Sequence, residues 1–541
     1  MKLFRFQGCC SLTYSRSAAL RFPLISVKAK LLFRSARCIP NASITDGKRF
    51  LRSQPELRTH IDSIFADMNI CNEALFDEFI RVHFQECNAS SIARFMRLGG
   101  KKSRSKSNDY LKKNLPTIAL RLQALKSSSW MYMDISFVIY GLRSIGERDS
   151  GYLDILTTMT EIAKITLKSK DVSSAQSLSM MLYGLQNNTG CGDVNSRLLA
   201  VISQIAAQCA EIFKPQEISN ALYGLKKMSS DSAEVRGLIS VLIPKIRDCK
   251  AELNAQGVGN ALYGLQGMSS DSAEVRGLIS VLIPKIKDCK AELNAQSVGN
   301  ALYGLQGMSS DSAEVRGLIS ALVPKICLSE FDSLNAQNIG NALYGLQGMS
   351  SDSAEVCALI SAIAYKIKGC IVAMDGQAIG NSLYGMKGMS SGSAEVRGLI
   401  SVLIPKIKDC NDELNAQNVG NALYGLQGMS SDSAEVRGLI LVLKSKVLGC
   451  SFGINAQELG MALFGLRKMS SDNAEVRALL SALLPKVETC VSVLDGHTAG
   501  NALFGLQGMS TDNEEVCDIL SALALQVDKA IDNLEIKVNQ P

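Results

Sequence analysis

The sequence predicts an all-α fold, a right-handed superhelical α-solenoid of about ten helix-turn-helix repeats of roughly 40 residues each. The main observation is an aromatic residue that recurs in steps of 40 residues, apart from one step of 43 and one of 41. A fixed period of this size is typical of stacked repeats, in which each unit packs on its neighbours. The recurring residues are Tyr140, Tyr183, Tyr223, Tyr263, Tyr303, Tyr344, Tyr384, Tyr424, Phe464 and Phe504.

The unit around Tyr263 illustrates why each repeat is expected to begin with a short helix. Asn254 is a favourable N-cap residue. Apolar residues then follow at three- and four-residue spacing, which predicts a first helix of about four turns over residues 255–268. Gly267 and the serines after it are expected to end this helix.

The second helix of this unit is expected to begin at a capping box formed by Asp271 and Glu274. Pro284 lies inside it, where proline removes one hydrogen bond and kinks a helix. Because residues that do not break helices stand there in other units, a kinked but continuous helix is predicted. The apolar stripe of this helix is Val275, Leu278, Ile279, Leu282 and Ile286.

The chain divides into three parts by composition. Residues 1–45 carry eight basic and no acidic residues, which predicts a disordered organelle transit peptide, mitochondrial or alternatively plastid. A basic tail without a targeting role is the other interpretation. Residues 46–133 are expected to form an N-terminal helical cap, with a basic loop at 99–108 and a degenerate repeat that has Arg97 in the aromatic slot. Residues 134–541 are expected to form the solenoid, closed by a C-terminal capping helix.

The charge balance argues against a protein that binds duplex DNA. The formal net charge is +6, but residues 1–45 contribute eight positive charges, so the remainder is mildly acidic. Tight binding to duplex DNA depends on Lys and Arg side chains that neutralise phosphates. No apolar run is long enough for a transmembrane helix, so no membrane insertion is expected.

Patterns that carry catalysis or bind metals are missing from the sequence. The only histidines are His60, His83 and His497, and none lies at metal-ligand spacing from a cysteine or carboxylate. There is also no Walker loop and no dinucleotide-binding glycine motif. The sequence therefore predicts no enzyme activity, no cofactor, no metal and no small-molecule substrate.

The cysteines are expected to be reduced and buried. The chain has 16 cysteines but no CxxC pair, and seven recur at one place in the repeat. This placement is typical of a small buried apolar residue in a reducing compartment. The seven are Cys209, Cys249, Cys289, Cys370, Cys410, Cys450 and Cys490.

A helical projection places the aromatic residue opposite the apolar side of the first helix, together with one glutamine and one asparagine. Aromatic rings stack on bases and amides bond base edges, so this face is a candidate platform for single-stranded RNA. The alternative is that the same residues only mediate packing between first helices. The predicted RNA-binding rings are Tyr183, Tyr223, Tyr263, Tyr303, Tyr344, Tyr384, Tyr424, Phe464 and Phe504, and the asparagines are Asn220, Asn260, Asn300, Asn341, Asn381, Asn421 and Asn501.

One position near the start of the first helix varies although its surroundings do not. It lies three residues before the asparagine, where small polar residues would suit the selection of one base per unit. An unconstrained solvent position is the alternative. The residues predicted to bind RNA there are Glu217, Gly257, Ser297, Asn338, Ala378, Asn418, Glu458 and Thr498.

The two helix patterns, AQ-x-V-GNALYGLQGM and AEVRGLISVLIPKI, resemble the octotricopeptide repeat and the related FASTK-like helical repeats. Those families have Trp where Tyr or Phe stands here, and the resemblance covers about residues 134–530. It implies an organelle protein that binds single-stranded RNA and acts in transcript stability, processing, splicing or translation. The mildly acidic array favours the alternative, a protein–protein interaction scaffold of the TPR or armadillo type.

Overall fold

The chain forms an α-solenoid, as the repeat period predicts. The computed structural model describes residues 55–65, 73–100, 106–169, 171–190, 192–329, 335–451 and 453–538, which contain 24 α-helices and no strand. The segment expected to be a transit peptide lies outside these residues, as does part of the basic loop. The hand of the superhelix stays a prediction.

Two short helices, α1 (Pro55–Ile64) and α2 (Glu73–Glu78), precede the array, and one π turn and one 3₁₀ turn lead into it. The first helices of the array are α3 (Ala89–Gly99), α5 (Tyr132–Gly141), α7 (Ala175–Gly184), α9 (Pro215–Gly224), α11 (Ala255–Tyr263), α13 (Ala295–Tyr303), α15 (Ala336–Tyr344), α17 (Gly376–Tyr384), α19 (Ala416–Tyr424), α21 (Ala456–Phe464) and α23 (Gly496–Leu506). The second helices are α4 (Lys106–Ala124), α6 (Tyr152–Leu167), α8 (Asp193–Gln208), α10 (Ala233–Asp248), α12 (Ala273–Asp288), α14 (Ala313–Leu328), α16 (Ala354–Lys368), α18 (Ala394–Lys408), α20 (Ala434–Leu448), α22 (Ala474–Glu488) and α24 (Glu514–Val538).

The helices form two layers. Each first helix packs on the first helices of the neighbouring units, and each second helix packs on the neighbouring second helices. The core lies between the layers, where Leu262, Leu265, Leu278 and Leu282 are fully buried. Each such side chain contributes about 1.5–3 kcal/mol of burial free energy, which an isolated helix pair could not gain.

The first helix is shorter than its apolar pattern predicts. The α-helix of the Tyr263 unit ends at that tyrosine. Beyond it, the Leu265 N–H donates to the Leu262 carbonyl and the Met268 N–H to the Leu265 carbonyl, which are the bonds of a tight turn. Gly267, which lies within this turn, has a φ of +94°. The apolar spacing therefore continues through a turn that buries the same face.

The cap of the second helix is also one residue away from its predicted place. Ser272, not Asp271, is the N-cap, and its hydroxyl accepts from the Val275 N–H and donates to the Glu274 carboxylate. The capping box predicted from Asp271 is therefore wrong. The helix runs on through Pro284, so the predicted continuity is confirmed.

Hydrogen bonds link successive units of the array. The buried Ser270 hydroxyl accepts from the Ser309 N–H at 2.9 Å, and the same bond recurs from Ser230 to Ser471. In the second layer, the Lys245 ammonium donates to the Cys209 carbonyl at 2.6 Å, and later lysines repeat this contact. The lysine contacts satisfy carbonyl groups at the C-terminal ends of second helices, which have no partner within the helix.

The recurring cysteines behave largely as predicted. Cys209, Cys249, Cys289, Cys410 and Cys450 are buried, whereas Cys370 and Cys490 are half-buried. None of the cysteines in the described segments forms a disulfide. Burial raises the pKa of the Cys209 and Cys410 thiols, which keeps them protonated and unreactive.

At the start of the array, α3 and α4 take the place of a repeat. Asn88 caps α3 by accepting from the Ser91 N–H at 2.9 Å. A Cβ on Gly100 would lie 2.0 Å from the Gly141 carbonyl oxygen, so α3 approaches α5 closely. Phe95 of α3 lies in a cluster of aromatic side chains with Phe65, Phe76, Phe79 and Phe84.

Candidate functional site

Three rows of side chains run along the layer of first helices. The glutamine row is exposed except for half-buried Gln417, whereas the asparagine row is half-buried. We call this surface the first-helix face. Its glutamines are Gln176, Gln216, Gln256, Gln296, Gln337, Gln377, Gln417 and Gln457, and its asparagines are Asn220, Asn260, Asn300, Asn341, Asn381, Asn421 and Asn501.

The aromatic row forms one continuous stack, which we call the ladder. The ten rings from Tyr140 to Phe504 form nine consecutive stacked pairs, with centroids 5.5–5.7 Å apart and planes inclined by 18–28°. Offset stacking at this distance contributes about 0.5–1.5 kcal/mol per pair beyond burial. The ladder is therefore part of what holds the array together.

Glycines set the short distance between the rings. Each ring is followed by a glycine, and a Cβ there would lie 1.8–2.2 Å from a carbonyl oxygen of the preceding first helix in the nine units from Gly184 to Gly505. Gly304, for example, would place its Cβ 1.9 Å from the Leu262 oxygen. Only glycine permits this approach of two helix backbones.

The ladder has no room for a base between its rings. A base stacked between two rings needs about 3.4 Å on each side, or roughly 7 Å between them. The rings therefore present edges, not faces, along the array. The two terminal rings, Tyr140 and Phe504, each stack on one ring of the ladder only. Arg143 covers the Tyr140 ring, whereas Phe504 is 44% exposed.

Burial keeps several tyrosines of the ladder neutral. Burial raises the pKa of Tyr183, Tyr223, Tyr303, Tyr344 and Tyr384, and the neighbouring tyrosines add to it. At neutral pH their hydroxyls are consequently available as hydrogen-bond donors and acceptors.

Four cationic residues lie over the ladder, each three residues after a ring. The Lys226 Nζ is 4.4 Å from the Tyr223 ring centroid, and the Lys387 Nζ is 4.6 Å from that of Tyr384. The guanidinium carbon of Arg467 is 4.9 Å from the Phe464 centroid, and Arg143 covers Tyr140 at 4.1 Å. Most other units have glutamine at this place. The sequence reasoning missed these residues, although their fixed offset from the ring was visible.

Burial lowers the pKa of three of these cations. It lowers the pKa of Lys226 to about 8, and the charge of Lys227 adds to this shift. Burial also lowers the pKa of Lys387 and of Arg143.

The variable position lies at the contact between successive first helices. Ser297, Ala378 and Thr498 are buried there, as are Ser177 and Gly257, and a Cβ on Gly259 would touch the Ser297 backbone at 3.0 Å. The half-buried residues at this position are Glu217, Asn338, Asn418 and Glu458. Glu217, Asn338 and Glu458 each accept a hydrogen bond from the N-cap backbone. The residues at this position therefore contribute to helix packing and capping, and those that are buried do not reach the first-helix face.

Within the described segments, no three His, Cys, Asp or Glu side chains are grouped to hold a metal ion. No helix in the same segments is both long and apolar enough to cross a bilayer.

Comparison with known proteins finds no matching family model and no matching curated sequence. Solved structures with similar chains include a homology model of the full-length AP-3 complex in an intermediate open conformation, with 10% identity, 90% of each chain covered and a TM-score of 0.37. Yeast Rmd9p in complex with a 16-nucleotide target RNA has 10% identity over 79% of this chain and 84% of that chain, with a TM-score of 0.31. APUM23 with GGAUUUGACGG has 12% identity over 93% of this chain and 92% of that chain, with a TM-score of 0.26.

Proposed function

We propose that the array binds single-stranded RNA along the first-helix face and acts in the stability, processing or translation of organelle transcripts. The observation that carries this proposal is the pair of amide rows, one exposed glutamine and one half-buried asparagine in most units. Amides donate to and accept from the edges of unpaired bases, and one unit per base is a known arrangement in helical-repeat readers. The resemblance to octotricopeptide repeats supports the same activity.

The arrangement of the ladder limits the contacts that an RNA strand would make with the rings. Its ring edges and hydroxyls line the face, and stacking of a base on a ring is confined to Phe504 at the end. Lys226, Lys387 and Arg467 stand beside the rings and would contact phosphates. Recognition along the array thus relies on hydrogen bonds, with no catalytic step.

The organelle setting rests on residues 1–45, whose basic, acid-free composition fits a transit peptide for the mitochondrion or, alternatively, the plastid. Fusion of this segment to a fluorescent protein tests it, and a cytosolic signal would refute it.

The binding experiment uses the full chain and a labelled pool of random single-stranded RNA, with fluorescence anisotropy as the readout. Three phosphate contacts give a salt slope of about −2, so affinity is expected to fall about 20-fold between 50 and 200 mM salt. Substituting exposed Gln296 and Gln337 with alanine should weaken binding. The matched control is Asn411→Ala, an exposed amide in a loop between units.

Absence of RNA binding at 50 mM salt would refute the proposal. The amide rows would then serve the alternative function, a protein-binding scaffold, because a peptide backbone can bond the same amides. Capture of a partner from organelle extract after nuclease treatment, lost in the Gln296→Ala, Gln337→Ala variant, would identify that case.

A further inference from the structure

A cleft of about 480 Å³ opens on the first-helix face near the start of the array. It spans four consecutive first helices, from α3 to α9. Its size suits a single nucleotide, since pockets for small ligands measure about 300–1,000 Å³. The side chains that line it include Arg97, Tyr140, Gln176, Lys214, Gln216 and Asn220.

The cleft differs from the rest of the face because it holds two cations. Arg97 stands in the slot that a ladder ring takes in later units, and its guanidinium carbon lies 4.5 Å from the Phe137 ring centroid. Lys214 reaches the cleft from the start of α9 and is exposed. Among the described residues, neither side chain forms an ion pair.

The other residues that line the cleft add hydrogen-bonding groups and one aromatic ring. Gln176, Gln216 and Asn220 bring amides, and Tyr140 brings the first ring of the ladder. The one carboxylate is that of Glu217, and one of its oxygens accepts from the Lys214 backbone N–H at 2.8 Å.

We propose that this cleft binds a nucleotide bearing a phosphate monoester, the phosphorylated end of the bound RNA. A phosphodiester inside a strand carries one negative charge, whereas a terminal monoester carries about −1.5 to −2 at neutral pH. Two cations in one cleft match the monoester, and a planar guanidinium can donate to it in bidentate fashion. The amides would hydrogen-bond the attached nucleoside, beside the edge of the Tyr140 ring. This inference rests on the proposed RNA binding and assigns one end of the strand to one end of the array.

The test measures the affinity of the full chain for a random RNA 12-mer pool in three forms, with a 5′-phosphate, with a 3′-phosphate and with hydroxyls at both ends. One form with a terminal phosphate is expected to bind about tenfold more tightly than the hydroxyl form, the effect of one charge-assisted hydrogen bond. Lys214→Gln and Arg97→Gln should each abolish the preference. Lys214 is exposed, so its variant folds even if loss of the Arg97 contact with Phe137 disturbs α3.

Lys387→Gln is the matched control, because it removes a cation at a place where Gln347 and Gln427 stand in neighbouring units. It should weaken all three RNA forms equally and leave the preference intact. Equal affinity of the three forms for the unsubstituted chain would overturn the inference while leaving RNA binding established.

A free nucleotide is a second possible ligand with the same phosphate monoester. If no RNA binds, calorimetry should compare the binding of adenosine and guanosine monophosphates with that of the two nucleosides, which lack the phosphate. Binding of the monophosphates only, lost in Lys214→Gln, would support a phosphate monoester site for a free nucleotide. No binding would overturn the site as well as the proposed function.

Discussion

Substituting Gly304 with alanine tests whether the close approach of first helices holds the array together. The new Cβ would lie 1.9 Å from the Leu262 oxygen and 2.6 Å from its carbonyl carbon, both backbone atoms of α11. Helices α11 and α13 must then separate by about 1 Å, and a gap of that size forfeits roughly a quarter to a half of the local van der Waals attraction. Overpacking of this kind costs about 1–3 kcal/mol, from which about 0.5–1 kcal/mol is subtracted because alanine has less conformational freedom than glycine in the unfolded chain. We expect a net loss of up to about 2.5 kcal/mol.

The matched control is Gly398→Ala in α18, where a Cβ would meet no atom within 4 Å and where Ala358 and Ala478 stand in other units. This variant should be stabilised by about 0.5–1 kcal/mol. Because an array can unfold in parts, denaturation followed by circular dichroism should be combined with hydrogen exchange of α11 and α13. If Gly304→Ala is as stable as Gly398→Ala, the glycines do not set the spacing of the helices.

Three further predictions concern polar groups and thiols. Ser270→Ala removes the hydrogen-bond partner of the N–H of half-buried Ser309 and should cost about 0.5–1.5 kcal/mol in chemical denaturation, whereas Ser280→Ala, at an exposed position, should have no measurable effect. The pKa of Lys226 is lowered to about 8 in the folded chain from 10.5, so the unfolded state binds more protons between these values. The stability of the unsubstituted chain relative to Lys226→Gln should therefore rise from pH 8 to pH 10, and a constant difference would contradict the burial of this ammonium. A thiol reagent should modify exposed Cys517 in the native chain but buried Cys289 only after unfolding, and mass spectrometry of the labelled peptides would show the reverse order if the packing is wrong.

Much of the fold could be predicted from local patterns. The period located the units, and capping residues such as Asn254 located the starts of the first helices. The first helix ends earlier than predicted, because a turn with i→i+3 bonds continues the apolar spacing of a helix. The predicted cap of the second helix was one residue away from Ser272, because neighbouring polar residues that could serve as caps look alike in sequence.

The candidate site was harder to predict, because its geometry depends on contacts between units. The projection placed Tyr263 and Asn260 on one face, which the structure shows to be half-buried. It could not reveal that the rings stack on one another, since this depends on a distance between helices that Gly264 and its equivalents determine. The glycine after every ring was the available signal. The variable position looked open because sequence variation cannot distinguish a solvent site from a contact that tolerates several small residues.

The near-identity of the central units restricts where RNA selectivity can originate. Units that repeat the same glutamine, asparagine and tyrosine offer each base the same groups, and the variable side chains are largely buried between helices. Selectivity should therefore come from units that depart from this pattern, such as Met461, which is half-buried in the asparagine row. Met461→Asn restores the amide and should change the preferred base at one position of the bound strand, as determined by sequencing RNA selected from a random pool. Gln337→Ala, in a central unit, should instead lower the affinity for all sequences. If Met461→Asn selects the same sequences as the unsubstituted chain, the amide row does not read bases.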